Sequence, residues 1–245
     1  FNYIIFYIIF DNLIYMNIDV IIPCYNEERT IETIILESIK HLSSNDNLII
    51  VDDGSTDKSN ILIKKLENKF SNINLIKHEK NFGKGAAIQT ALKRVQNEIV
   101  IIQDSDLEYN PSEYKKLINP LLKLKADVVY GSRFVGSNEH RVLYYWHKIG
   151  NNIITFLSNI FTNLNLTDIE VGYKAFRSEK ILKLNLKEKR FGFEPEVTIK
   201  LAKEKCIFYE VGISYRGRTY KEGKKIGLLD AFVAIYCIIR YSIFD

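Results

Sequence analysis

Between residues 18 and 134, short and almost uninterrupted aliphatic runs alternate with longer stretches of helical period. The runs 18–23, 47–52, 73–78, 98–103 and 127–130 predict strands, and all but the third are nearly continuous in aliphatic residues, as strands covered on both faces require. The stretches between them predict helices over 30–42, 57–70, 85–95 and 111–123. Ser55 or Thr56 is the expected cap of the second helix, and Pro111 suits the first turn of the fourth. Strand, helix, strand repetition implies right-handed crossovers and a mostly parallel sheet, which makes the chain α/β.

After residue 140 the texture changes. Residues 142–164, "VLYYWHKIGNNIITFLSNIFTNL", are rich in aromatic and aliphatic side chains, and read equally as a core helix or as an apolar element resting on a membrane surface. Strand and helix alternate again through "EVGYKAFR", "EPEVTIKLAKEK" and "CIFYEVGISYR". The last segment, "GLLDAFVAIYCIIRYSIFD", is amphipathic, and Asp230 and Arg240 interrupt it too closely for a clean bilayer span. The opening "FNYIIFYIIFDNLIYMN" is apolar, but it is broken by Asn2, Asp11 and Asn12 and is shorter than the ~20 residues that cross a bilayer. The only methionine, Met16, is the expected natural start, with residues 1–16 a leader and 17–245 one domain. That domain divides into 17–134 and a C-terminal elaboration, 135–245.

At 245 residues, 47% hydrophobic and 26% charged, the chain buries a full core and is not disordered. A net charge of +4 is too mild to imply a polyanion partner, so only the local placement of charge is informative. Cys24, Cys206 and Cys237 are odd in number and far apart, which points to reduced thiols in a cytosolic compartment.

The chemistry collects where the predicted strands end: "CYNEE", "DDGSTD", "KNFGKG", "DSD" and "GSRF" follow the five strands in turn. In open α/β sheets the crevice outside the carboxyl ends of the strands is where ligands bind. Asp104 and Asp106 repel each other unless a cation sits between them, and a turn at Ser105 would let both reach one divalent ion. Mg²⁺ commonly takes one or two carboxylates, several waters and phosphate oxygens, which suits this pair better than a closed cage; the plain alternative is a solvated acidic loop. Asp52 or Asp53 could accept a hydrogen bond from a nucleobase, beside a sharp turn at Gly54. Lys84, between Gly83 and Gly85 at a helix start, suits phosphate oxygens, although no Walker loop is present.

In this order and at these separations, "VIIPCYNEE", "VDDGSTD", "NFGKG" and "DSD" resemble the nucleotide-sugar half of family 2 glycosyltransferases with the GT-A fold. "GSRF", "TDIEVGYKAFR", "RFGFEPEVTIKLAK" and "YRGRTYKEGKKIG" extend the likeness to the polyprenyl- and dolichyl-phosphate mannose and glucose synthases. The resemblance implies a Rossmann-like sheet with helices on its faces and amphipathic helices at the C-terminal end. It implies that Pro23, Tyr25, Asn26 and Glu27 line the nucleoside, that Asp52 reads the base with Asp53 nearby, and that Gly83, Lys84 and Ser105 belong to the donor site. Asp104 and Asp106 match the metal-binding DxD pair for Mg²⁺ or Mn²⁺. Arg133 approaches a donor or acceptor phosphate, and Asp168 joins the catalytic set. Gly172, Lys174, Glu194 and Glu196 fall in later motifs with less defined roles, and Glu108 stands where some relatives carry Gln.

A lipid phosphate acceptor is already anionic and needs cations more than a base. Arg216, Arg218, Lys224 and Lys225, beside an amphipathic helix, fit both that acceptor and an anionic membrane surface. The expected function is an inverting transfer of glucose or mannose from a UDP or GDP sugar to a polyprenyl phosphate at the cytoplasmic face of a membrane. A glycan hydroxyl acceptor, with Asp168, Glu194 or Glu196 as base, is the alternative. A non-catalytic nucleotide or nucleic-acid binding module is the third reading; an intact DSD argues against it, and no nucleic-acid partner is expected.

Overall fold

The computed structural model describes residues 16–136, 141–142, 144–218 and 228–244. The expected leader, apart from Met16, lies outside the described residues, as do Lys224 and Lys225. One sheet of seven strands runs in the order β3-β2-β1-β4-β6-β5-β7. Its members are β1 (Ile18–Cys24), β2 (Asn47–Asp52), β3 (Ile73–Lys77), β4 (Ile99–Ile102), β5 (Val128–Ser132), β6 (Lys174–Arg177) and β7 (Phe208–Gly212). The helices are α1 (Ile31–Ile39), α2 (Ser59–Glu67), α3 (Lys84–Leu92), α4 (Tyr114–Lys123), α5 (Tyr145–Thr162), α6 (Ser178–Ile181), α7 (Phe193–Lys203) and α8 (Leu228–Ile243).

Strand β1 pairs in parallel with β2 and β4, β2 with β3, and β5 with β7, whereas β6 runs antiparallel between β4 and β5. The aliphatic strands β1, β4 and β5 are buried throughout, while β3, whose run was the least continuous, lies at the sheet edge. The order switches direction at β1, with β2 on one side and β4 on the other, and that switch opens a crevice at the carboxyl ends. At the opposite end, buried Asp19 fastens the sheet by accepting from Asn47 Nδ2 and from the backbone amides of Gln96 and Asn97. The half beyond residue 134 is not a separate layer, because its strands β6 and β7 complete the same sheet.

Two local expectations meet different outcomes. Helix α2 starts at Ser59, preceded by Lys58, and neither Ser55 nor Thr56 caps it. Those two residues instead lock onto Asn26: its amide donates to Ser55 Oγ at 3.0 Å, and Thr56 N donates to its Oδ1 at 2.8 Å. Pro111 does open the fourth helical segment, as a 3₁₀ turn (Pro111–Glu113) capped by Asn110 Oδ1 and running into α4. Among the described residues, no helix is long and apolar enough to cross a membrane.

Candidate active site

Beyond β4 the chain bends at once. Gln103 Nε2 donates to the carbonyls of Asp104 and Tyr109, and Thr30 Oγ1 donates to the carbonyl of Ser105 at 3.0 Å. This turn breaks the alternation of an extended strand and brings Asp104 and Asp106 into the same cleft, of about 600 Å³, at the carboxyl edge of the sheet. Asp104 Oδ1 lies 2.8 Å from Lys84 Nζ, and Asp106 Oδ2 lies 2.5 Å from Arg218 Nη2. Lys84 also meets Glu194 Oε1 at 3.0 Å, while Arg218 reaches Glu27 Oε2 at 3.1 Å and Glu108 Oε1 at 3.4 Å. Gly172 backs directly onto Asp104, where a Cβ would fall 2.1 Å from Oδ2.

The electrostatics follow from crowding. Burial, together with Asp104 and Glu108, pushes the Asp106 carboxyl up to about 7, against the pull of Arg218. Burial also works against the Lys84 charge, but Asp104 and Glu194 outweigh it and hold the ammonium above the usual lysine range. Among the described residues, seven carboxyl groups and four cationic side chains line the cleft, so acidic groups outnumber basic ones where a diphosphate would enter and added positive charge would favour it. The donor set fits Mg²⁺ or Mn²⁺: hard carboxylate oxygens on Asp104 and Asp106, short of a full shell and open to water and phosphate. Among the described residues, no group of three or more His, Cys, Asp or Glu is arranged to hold such an ion unaided.

Of the expected residues, Pro23, Tyr25, Glu27 and Asp53 line the cleft from the β1 and β2 ends. Gly83, Lys84 and Ser105 line it with the two aspartates, as do Arg133 and Arg218. Four others are placed elsewhere. Asp52 is fully buried, with Oδ1 accepting from Ser55 N at 3.0 Å and Oδ2 from Asn60 Nδ2 at 2.7 Å, so it shapes its own loop and does not line the cleft. Asn26, at φ 51°, does not line the cleft and ties the β1 loop to the β2 loop. Asp168 is fully buried, and its oxygens take Arg133 Nε at 2.6 Å and Nη2 at 2.7 Å, so it clamps the arginine and does not line the cleft. Arg216 lies outside the cleft, in a neighbouring groove with Arg141. Asp53 lines the cleft yet spends its carboxylate on the amides of Phe82 and Gly83 and on His78 Nδ1, which sets the "NFGKG" loop. Glu196 is likewise committed, to the amides of Lys187 and Glu188 and to Lys200.

A model of the family described as Glycosyl transferase family 2 matches residues 19–184. The chain belongs to glycosyl transferase family 2. Among its relatives, a UDP-N-acetylglucosamine–dolichyl-phosphate N-acetylglucosaminyltransferase of Methanococcus voltae is 30% identical, over 94% of this chain and 96% of that one. A dolichyl-phosphate beta-glucosyltransferase of Trichomonas vaginalis is 26% identical over 91% of this chain and 72% of its own length. A crystal structure of glucosyl-3-phosphoglycerate synthase from Mycobacterium tuberculosis, in complex with Mn²⁺, UDP and phosphoglyceric acid, superposes with a TM-score of 0.72. At 22% identity, over 94% of this chain and 80% of that one, it shows the shared GT-A-like fold.

The site of this family 2 glycosyltransferase also contains residues that sequence reasoning missed: Tyr109, Glu170, Arg190, Phe191 and Tyr215 all line the cleft. Tyr109 stacks on Tyr173 and leans on Tyr215, over whose ring the Arg133 guanidinium sits at 5.1 Å. Glu170 was visible as a lone charge between Asp168 and the glycine of "TDIEVGYK", but nothing in the spacing said that the charge of Glu194 would act on it.

Proposed function

We propose that this glycosyltransferase moves a hexose, glucose or mannose, from a UDP or GDP sugar to a polyprenyl phosphate at a membrane surface, with inversion at the anomeric carbon. One observation carries the reading, namely the junction between the cleft and an apolar helix pair. Arg133 lines the cleft and donates through Nη2 to Asn151 Oδ1 of α5 at 3.2 Å. Along α5, Trp146, Ile153, Phe156 and Ile160 fall at helical spacing and stand exposed, and the helix packs against α8. On α8, Phe232, Tyr236, Ile239 and Ile243 are exposed in the same way. Amphipathic helices of this kind lie in the headgroup region, which would bring a lipid phosphate to the mouth of the cleft. The dolichyl-phosphate transferases among the relatives support that acceptor.

The chemistry is a single displacement. An acceptor phosphate oxygen forms a bond to the anomeric carbon as the bond from that carbon to the nucleotide diphosphate breaks, and the leaving diphosphate takes the electron pair. The acceptor is already anionic, so no base is required, in keeping with Asp168 being sealed against Arg133. The Arg133 guanidinium stays cationic, since Asp168 offsets the cost of its burial, and as a lining residue of the cleft it would hold a phosphate. Asp104 and Asp106 would hold a divalent cation, which when bound supplies Lewis-acid neutralisation of the diphosphate. Lys84 and Arg218 balance those carboxylates in the free enzyme. Residues 135–245 form the acceptor-facing half, peripheral at the cytoplasmic face, where the three free and buried cysteines remain reduced.

The test is incubation of the purified protein with polyprenyl phosphate in vesicles, Mn²⁺ and labelled UDP-glucose or GDP-mannose. An organic-extractable, mild-acid-labile product is expected. A water-soluble or polymer-bound product would overturn the acceptor assignment.

A further inference from the structure

Arg218 meets a different carboxylate through each of its three guanidinium nitrogens. Nη2 lies 2.5 Å from Asp106 Oδ2, Nη1 lies 3.1 Å from Glu27 Oε2, and Nε lies 3.4 Å from Glu108 Oε1. The other oxygen of Asp106 is engaged as well, accepting from Glu108 N at 3.1 Å. A divalent cation drawn to Asp106 therefore approaches a carboxylate that already carries a cation, and like charges at one carboxylate repel strongly in a cleft partly shielded from water. The backbone that bears Arg218 is pinned without help from its guanidinium. Glu108 takes Arg218 N at 2.8 Å and the Tyr215 hydroxyl at 2.9 Å, the Glu108 carbonyl takes Arg216 N at 3.0 Å, and Glu113 Oε2 takes Ser214 N at 3.0 Å. The guanidinium can turn on its flexible stem while the chain beneath it stays in place. An entering diphosphate offers it a new partner, since a guanidinium grips phosphate oxygens through paired hydrogen bonds and Arg218 lines the cleft.

We propose that Arg218 competes with the divalent cation for Asp106, and that a nucleotide diphosphate resolves the competition by drawing the guanidinium onto its own oxygens. Arg218 is then the positioning residue that couples cation binding to nucleotide binding. The proposal rests on the donor reading above and adds the order in which the donor site assembles. With Arg218 seated on Asp106, the protein holds the cation weakly by itself. Once the guanidinium has moved to the diphosphate, Asp106 is released, and cation and nucleotide bind cooperatively. Linkage requires the cation to raise nucleotide affinity by the same factor as the nucleotide raises cation affinity. The enzyme thus takes up its metal together with the donor and not before it.

The test reads Mn²⁺ affinity without nucleotide by electron paramagnetic resonance, and UDP and GDP affinity without and with Mn²⁺ by calorimetry. The proteins are the unmodified chain, Arg218→Met, Arg218→Lys and Arg216→Met. Arg216 is exposed and lies outside the cleft, so its variant removes the same charge nearby and controls for a general electrostatic gain. In the unmodified chain Mn²⁺ should raise the affinity for one of the nucleotides about thirtyfold. Arg218→Met should bind Mn²⁺ alone about tenfold more tightly than the unmodified chain and lose most of that coupling, while Arg216→Met should stay within about twofold of it. Arg218→Lys, a charge without the three-way fork, should fall between the two and keeps the comparison open if the methionine variant does not fold. A merely structural role for Arg218 would weaken both ligands and give no gain in Mn²⁺ affinity. If neither Arg218 variant gained affinity for Mn²⁺ alone, or if Arg216→Met gained as much, the exchange would be overturned, and cooperative binding of Mn²⁺ and nucleotide would leave the donor reading standing. If the unmodified chain bound neither nucleotide with Mn²⁺ present, the donor reading would fall and the exchange with it.

Discussion

Gly172→Ala tests the placement of the DxD aspartates with a single methyl group. Gly172 has no left-handed backbone to protect; what it lacks is a Cβ, and one built there falls 2.1 Å from Asp104 Oδ2 and 2.8 Å from Cγ. Ordinary contact begins near 3.4 Å, so the carboxylate has to retreat by more than 1 Å or the segment before β6 has to move. Retreat strains the 2.8 Å bond to Lys84, and movement of the segment strains the 3.2 Å bond from Gly172 N to Tyr109 Oη. Overpacking of this size costs about 1–3 kcal/mol of stability, which leaves a domain of this size folded. A misplacement of about 1 Å at a catalytic group costs about 10²-fold in rate, or about 2.7 kcal/mol of barrier. Transfer kinetics, with Mn²⁺ affinity read by electron paramagnetic resonance and stability by urea unfolding, separate these effects. The expected result is a fall of about 10²-fold in kcat/KM and weaker Mn²⁺ binding at a modest loss of stability. A folded Gly172→Ala protein with unchanged turnover and unchanged Mn²⁺ affinity would refute the placement of Asp104 as a metal-holding group.

Removing one member of the buried Arg133–Asp168 pair strands the other, so Asp168→Ala should lose about 3–5 kcal/mol in urea unfolding, and the double variant with Arg133→Met should recover part of it. A loss below about 0.5 kcal/mol would mean that the pair is solvated. Glu170 is held up at about 8 against an ordinary 4.5, so between these values the folded chain keeps a proton that the unfolded chain has released. Stability therefore falls as pH rises through that window, by up to about 1.4 kcal/mol per pH unit, and Glu170→Gln should flatten the decline of Tm between pH 5 and 8. If the two proteins gave parallel Tm profiles, Glu170 would titrate normally. Phe156→Ser and Phe232→Ser remove exposed aromatics from α5 and α8, and each should weaken sedimentation with anionic vesicles about tenfold without changing Tm. Unaltered vesicle binding would place the membrane contact elsewhere.

The strands that form the floor of the site were legible because burial on both faces leaves a plain mark, an unbroken aliphatic run such as "VIIP" or "IVII". The edge strands β3 and β7 were exceptions on both counts, being mixed in sequence and partly exposed in the sheet. Motifs at the strand ends pointed to one crevice, and the fold gathers them there, since parallel strands bring their carboxyl ends to one edge whatever lies between them. Within those motifs the division of labour was not legible. Asp52 and Asp53 are neighbours in sequence and both accept backbone amides, yet only Asp53 borders the cleft. A strand's alternation sends consecutive side chains in opposite directions, and which direction meets the cleft depends on what packs on each face.

By itself, the sequence determined the class of fold, the sheet edge at which its polar motifs collect and the paired aspartates that share the cleft there. These follow from local composition and from periodicity, which short-range sterics and burial write into the chain. Tertiary structure alone decided which charges neutralise which. Lys84 joins Asp104 to Glu194 across 110 residues of chain, Arg218 gathers Glu27, Asp106 and Glu108, and Asp168 is buried in a clamp on Arg133. Coulomb energies depend on distance and burial in space, and no spacing along a sequence fixes those for residues that only the folded sheet brings together.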